Sequence, residues 1–468
     1  MFADKLFVVV ANNFFTIISL TIVSYVIQFY INYFNRKSKL PGPLPVPILG
    51  NLHQIGNDFP LAAESFRQKY GDLYEFYMGS TRHVVISRAD LAEKVWGPLS
   101  IKNTKFIMRN AYSEGVDELG LGTRGMVLNR DIESWSFNRK FLVQSTSSPS
   151  FLREAIKLTS KVNEEVFKYW KIMEKVGMPI SIPDWMDVIG IDVVVTTATG
   201  KRMSSTAEFF NKLNINEQKS EIKGMWNNGI KFAEAIFTYN ESMAFMIDLE
   251  KISVGKNDQP LANDQLSSIL REVFTGGLDT TSNTISYVIY FIAKYRDIYL
   301  KIRDEVLKVY GTLDNPNIVF ESFEKLKYMD AVIQEAIRCF PTISLISRAA
   351  TEDVDFDGFI IEADTTVYTN LKALSNNPKY FTDPEKFNPD RFLNDKGSMV
   401  KYSFLPFGNG VRMCPGRAWA MVQMKTFLIK LVSTFDIELV DKNAEVKYKY
   451  ATVNRPVDIN LHIKARKD

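Results

Sequence analysis

Residues 407–417 read Phe407-Gly408-Asn409-Gly410-Val411-Arg412-Met413-Cys414-Pro415-Gly416-Arg417, and Ala418-Trp419-Ala420 opens an amphipathic run directly behind them. One cysteine thus sits between a glycine-broken loop and the first turn of a helix. A thiol in that setting can serve as an anionic metal ligand, because coordination removes its proton outright. The helix behind it would aim free N–H groups and the positive end of its dipole at the sulfur. Gly410 and Gly416 let the backbone approach a flat ligand without Cβ clashes. Arg412, two residues upstream of the cysteine, can reach a carboxylate on such a ligand's rim. The competing reading of Cys414 is a buried structural cysteine, the usual fate of a lone thiol in a core.

The spacing Phe-x-x-Gly-x-Arg-x-Cys-x-Gly is met without a miss. It resembles the haem-binding loop of the cytochrome P-450 superfamily, in which the cysteine sulfur ligates haem iron. The resemblance implies a mainly α fold with a minor β-sheet, a haem b cofactor, Cys414 as axial thiolate, and Phe407 and Arg412 in the haem-binding loop.

Other stretches fit the same family in the same order. Trp135 and Arg139 are four apart and share a helix face, which alone would suit a surface pair with a half-buried indole. In the family such a pair binds a haem propionate. Residues 265–296 are helical in pattern and carry Gly276-Gly277-Leu278-Asp279-Thr280-Thr281 at their middle. Adjacent glycines inside a helix cost about 1 kcal/mol each relative to alanine, which calls for a reason. Glycine opens room for a ligand, and the Thr280 hydroxyl can bond the Gly276 carbonyl and bend the helix into a groove. A kinked structural helix is the alternative. The resemblance makes Asp279 and Thr280 the acid–alcohol pair that feeds protons to dioxygen.

Glu335 and Arg338 are an i,i+3 pair of a kind common on solvated helices. By family likeness they form, with Arg391 of Phe387-Asn388-Pro389-Asp390-Arg391-Phe392, a buried Glu–Arg–Arg cluster of geometric value. Between the two, Arg348 is expected on a propionate, and Ile343, Leu345 and Ile346 facing substrate. Cys339 reads as core packing.

The 468 residues carry 46% hydrophobic side chains and a net charge of only +3, so a large core is expected and a nucleic-acid partner is not. Two cysteines argue against a disulfide scaffold, and His53, His83 and His462 are too scattered for a histidine metal site. No residue from 6 to 34 is charged, enough to span a bilayer, and Arg36, Lys37 and Lys39 follow. A cleaved signal peptide competes, but the basic cluster lies on the far side of the apolar run. The expected organisation is an anchor and basic stop at 1–39, a proline-rich hinge at 40–50, and a catalytic domain at 51–468. The positive-inside rule then leaves that domain cytosolic, and the family resemblance implies the endoplasmic reticulum membrane.

These features resemble the membrane-bound eukaryotic, fungal-like members of the family. They imply a monooxygenase that takes O2, a hydrophobic small molecule such as a lipid, sterol or xenobiotic, and electrons from an NADPH-dependent reductase. No flavin or nicotinamide motif is present in the chain, and Lys140 and Lys425 are candidates for the reductase's docking site. A haem-thiolate isomerase or dehydratase, or a catalytically impaired haem-binding membrane protein, is the alternative. One region departs from the family. Between a helix expected at 223–239 and the helix opening near 264, the chain has room for one helix where the family has two.

Overall fold

The computed structural model describes residues 14–109, 122–215, 263–393, 399–451 and 453–466. The shortened stretch between the expected helices, and the roof it would form, lie outside the described residues.

Helices dominate, and one of them is the axis of the domain: Asn263–Lys294, 32 residues long. It ends two residues earlier than its pattern suggests. Tyr295 leaves the helical conformation, and Arg296 opens the next helix, Arg296–Tyr310. The long helix runs against Ile182–Thr199, and one glycine sets their distance. A Cβ on Gly190 would lie 2.3 Å from the Ser282 Oγ. Around this crossing pack Pro149–Lys175, Arg296–Tyr310, Lys327–Cys339 and Arg417–Thr434, with Trp170, Trp185, Tyr299 and Phe427 buried among them.

The main sheet has four strands, in the order Leu73–Met78, Thr81–Ile86, Thr366–Asn370, Leu345–Ala349. The first two form an antiparallel hairpin closed at Met78 opposite Thr81, with Gly79 at φ 59°. Thr81–Ile86 pairs in parallel with Thr366–Asn370, which pairs antiparallel with Leu345–Ala349. A smaller antiparallel sheet joins Ile180–Ser181, Asn460–Ala465 and Phe435–Leu439. The mainly α class with a minor sheet is what the resemblance implied.

The helix Phe59–Tyr70 starts where the Asp58 carboxylate accepts the Leu61 N–H at 3.0 Å and Pro60 suits a first turn.

Phe14–Phe34 is long and apolar enough to cross a membrane, and none of its residues is buried. Its inner end is fastened to the sheet. Arg36 and Arg82 flank the buried Glu75 at 2.6 and 2.8 Å, and the Tyr33 and Tyr77 rings meet edge to face at 5.7 Å. The proline-rich stretch that follows is pinned rather than free. The Glu75 N–H donates to the Pro41 carbonyl at 2.9 Å, and a Cβ on Gly42 would collide with the Glu75 carbonyl oxygen.

Candidate active site

A cavity of about 330 Å³ lies between the middle of the long helix and the loop ahead of Arg417–Thr434. Of the residues singled out in the sequence, Cys414, Phe407, Arg412, Trp135, Arg139, Arg348, Gly276, Gly277 and Thr280 line it.

The cysteine loop is built by backbone bonds. The Cys414 N–H donates to the Phe407 carbonyl at 2.9 Å, closing the loop on itself. The N–H groups of Gly416 and Arg417, at the start of the helix, point to the Cys414 sulfur. Those two donors and the Arg139 and Arg109 guanidiniums favour the thiolate, while burial opposes it more strongly and raises the thiol's pKa. Gly410 has a different role from the one expected. At φ 68°, a Cβ there would meet the Pro98 carbonyl oxygen at 2.7 Å, so this glycine lets the loop pack on the chain behind Trp96. Gly408, at φ 69°, similarly lies against the Trp96 ring.

Arginines surround the cavity's edge. Arg412 donates from Nε, Nη1 and Nη2 to the carbonyls of Ile107, Met126 and Asn129 at 2.9, 3.1 and 3.0 Å, and stacks 4.0 Å from the Trp135 ring centre. A guanidinium has five N–H groups, so two remain. Arg348 stacks 4.1 Å from the Trp96 ring centre and donates to the Ser347 carbonyl at 2.8 Å. Arg139 donates to the Met413 carbonyl at 2.7 Å. The fourth, Arg109, escaped the sequence reading, since a lone arginine in a loop carries no pattern. Its Nε is buried with no partner.

Burial pushes all four guanidiniums down, and repulsion from neighbouring arginines adds to it at Arg109, Arg348 and Arg412. Arg412 falls to about 9, through burial first and then Arg109 and Arg139. Arg348 is lowered further by burial and by Arg109, Arg412 and Arg139. Guanidiniums do not give up their protons in proteins, so the pressure instead describes a site built for anions. Two carboxylates at the cavity's edge would relieve it. A haem, with two propionates at one edge, would therefore fit the residues present: Cys414 could supply a thiolate ligand and the four arginines could hold the propionates.

On that helix, the Thr280 hydroxyl donates to the Gly276 carbonyl at 2.6 Å. The pattern repeats along the helix, with Thr275, Thr284 and Ser286 bonding the carbonyls four residues back. Gly277 faces Val194, 3.6 Å from an added Cβ, whereas Gly276 has open space. Asp279 is not among the cavity's lining and is exposed. Its charge is felt instead by Asp187, which Arg455 contacts at 2.6 Å. Burial is the main cause that raises Asp187, to about 6.

The Glu335–Arg338–Arg391 group is buried behind the loop. Arg338 makes a two-pronged pair with Glu335 at 2.7 and 2.9 Å, and Arg391 adds a bond of 3.1 Å. Arg338 also donates to the Ser375 and Lys386 carbonyls, tying the segment that leads to the cysteine. Cys339 is buried beside it, its thiol pushed up to about 12 by burial.

Two further expectations are corrected. Leu345 does not reach the cavity, although Ile343 and Ile346 do. Alternation along the strand turns Leu345 to the other face, against the Phe59 and Tyr368 cluster. Lys425 is no docking residue, because it is buried, donates to the Phe323 carbonyl at 2.9 Å and pairs with Asp330 at 2.8 Å. Lys140 is exposed.

The chain is similar to known proteins along most of its length. The family described as "Cytochrome P450" matches residues 40–225 and 209–461. "Cytochrome P450 3A18" of Rattus norvegicus is 24% identical over 469 residues, 89% of this chain and 90% of that protein. "Tabersonine 16-hydroxylase 1" of Catharanthus roseus is 26% identical over 92% of each chain. "Cytochrome P450 monooxygenase 76AD131" of Lophophora williamsii is 26% identical over 88% of this chain and 91% of that protein.

Proposed function

The chain belongs to the cytochrome P450 family and is an oxidoreductase of its monooxygenase type, and from that premise we propose that it oxidises a hydrophobic small molecule at a haem b held by Cys414. The observation that carries the reading is the Cys414 sulfur at the cavity, with two helix N–H groups aimed at it and four arginines around the edge. When bound, thiolate-ligated haem activates dioxygen and delivers one of its oxygen atoms to a C–H bond.

The protein's own residues divide the remaining work. Arg109, Arg139, Arg348 and Arg412 hold the propionates, and Trp135 backs two of these guanidiniums. Glu335, Arg338 and Arg391 hold the approach to the cysteine loop in place. Thr280 spends its own proton on the Gly276 carbonyl, so the lone pairs of its Oγ1 can accept a hydrogen bond inside the cavity and steer a proton there. Asp279, exposed beside it in sequence, takes protons from solvent. Ile343, Ile346 and Val273 give the cavity apolar walls, which suit a hydrophobic substrate. Electrons come from an NADPH-dependent reductase. Phe14–Phe34 anchors the enzyme in the endoplasmic reticulum membrane, with the basic residues behind it keeping the domain cytosolic.

The test is the reduced, carbon monoxide-treated protein, which should show the red-shifted Soret band of thiolate-ligated haem. Cys414→Ser should lose that band and Cys339→Ser should keep it. Equal behaviour of the two variants would refute Cys414 as the ligand.

A further inference from the structure

One acidic side chain, Glu272, stands out among the described residues that line the cavity. It lies one turn before Gly276 on the long helix, at the same four-residue spacing that separates Gly276 from Thr280. The side chain is only 8% exposed. A buried carboxylate needs hydrogen-bond donors, and Glu272 has three. Its Oε2 accepts the Met126 N–H and, at 2.9 Å, the Val127 N–H, while Oε1 accepts the Leu128 N–H at 3.3 Å. Gly125 makes the approach possible, since a Cβ there would lie 2.7 Å from Oε1.

The turn that Glu272 grips is the same turn that grips Arg412. Glu272 takes the N–H groups of 126–128, and Arg412 donates to the carbonyls of Met126 and Asn129. Asn138 closes the third side by donating to the carbonyls of Arg124 and Gly125 at 2.7 and 3.1 Å. A helix carboxylate and a loop guanidinium are thereby joined through one short piece of backbone. The same carboxylate is an attractive charge for Arg109, which has no fixed partner at Nε.

We propose that Glu272 is a positioning residue for the cofactor's edge, acting through the 125–129 turn to fix Arg412. The inference rests on the haem reading above. Glu272 itself touches no reacting atom. Replacing it by glutamine turns an NH2 group toward backbone N–H groups, donor against donor, and removes the charge that faces the arginines. The turn loosens, and Arg412 loses the carbonyls that fix its guanidinium.

The experiment uses the haem-loaded full chain and compares Glu272→Gln and Glu272→Asp with Val306→Ala, a core truncation in Arg296–Tyr310 far from the cavity lining. Two quantities are read: haem transfer to excess apomyoglobin, and hydrogen exchange of the 126–128 amides. Glu272→Gln should release haem on the order of tenfold faster than wild type, the factor for losing one charge-assisted hydrogen bond, and should expose those amides. Glu272→Asp, which keeps the charge, should fall between the two. Val306→Ala should leave the amides protected even where it lowers the melting temperature. If Glu272→Gln releases haem no faster than Val306→Ala, or leaves the three amides protected, the positioning role is wrong. If wild type itself holds no haem, the cofactor reading fails instead, and the exchange data still report on the turn.

Discussion

Gly190 and Ser282 touch where the two central helices cross: the Ser282 hydroxyl donates to the Met186 carbonyl at 2.9 Å, through the space a side chain at 190 would fill. Gly190→Ala must displace that hydroxyl, and the long helix with it. The expected cost is about 1–3 kcal/mol, typical of overpacking a tight core. In a Ser282→Ala background the same substitution should cost less, because the nearest remaining atom, the Leu278 carbonyl oxygen, lies 3.5 Å away. Denaturant unfolding of the four proteins in the cycle measures this, and additive effects would show that the helices do not meet through this pair.

Thr280→Ala removes the hydroxyl bonded to the Gly276 carbonyl and leaves the cysteine loop untouched. Haem binding should persist and reductase-driven NADPH consumption should continue. A larger share of the consumed electrons should appear as hydrogen peroxide, and a smaller share as oxidised substrate, by several-fold in their ratio. An unchanged ratio would remove Thr280 from proton delivery.

His83 supplies a pH signature. It is buried in the main sheet, stacked on Phe76 at 5.2 Å, with no partner for its Nδ1, and burial pushes its pKa down to about 4. The fold therefore favours the neutral ring, and between pH 6.5 and 4 the unfolded chain binds more protons than the folded one. Stability from this residue is complete above 6.5 and falls as the pH drops toward 4, by as much as about 3 kcal/mol. His83→Phe should flatten that limb of the melting-temperature profile while leaving pH 7.5 nearly unchanged. A parallel shift at all pH values would mean the ring does not titrate in the unfolding transition.

Glu75 holds two arginines, one from the end of the anchor and one from the sheet. Glu75→Gln leaves both guanidiniums short of their anion, at a cost of about 3 kcal/mol for breaking a buried pair. Trypsin should then cut at Arg36 and Lys37 several-fold faster, while alkaline carbonate still leaves the protein in the membrane. Wild-type cleavage rates would show that the anchor's attachment does not depend on this trio.

Much of this molecule is legible in its sequence because the decisive features are local. The spacing from Phe407 to Gly416 confines a cysteine to the mouth of a helix whatever surrounds it, and the Thr280 hydroxyl in the glycine–threonine run at 276–281 takes up the Gly276 carbonyl through an i−4 bond that needs no outside partner. Arg109, Glu272 and the reason for Gly410 were not legible, since each depends on which distant backbone lies opposite. Glu272 looks like any helix carboxylate until the 126–128 amides are found against it. Lys425 looks like a surface cation until Asp330 and the Phe323 carbonyl enclose it.

By itself, then, the sequence determined the fold class, the cysteine loop and the apolar anchor, because hydrophobic period, glycine placement and motif spacing act within a few residues. The tertiary structure alone decided which arginines gather at one cavity, that Asp279 turns away from it while Thr280 lines it, and that Glu272 and Arg412 grip the same turn. The physical reason is that charge and hydrogen bonding act through space. A guanidinium or a carboxylate acquires its role from partners brought beside it by chain crossings, such as that of Gly190 and Ser282, far away in sequence.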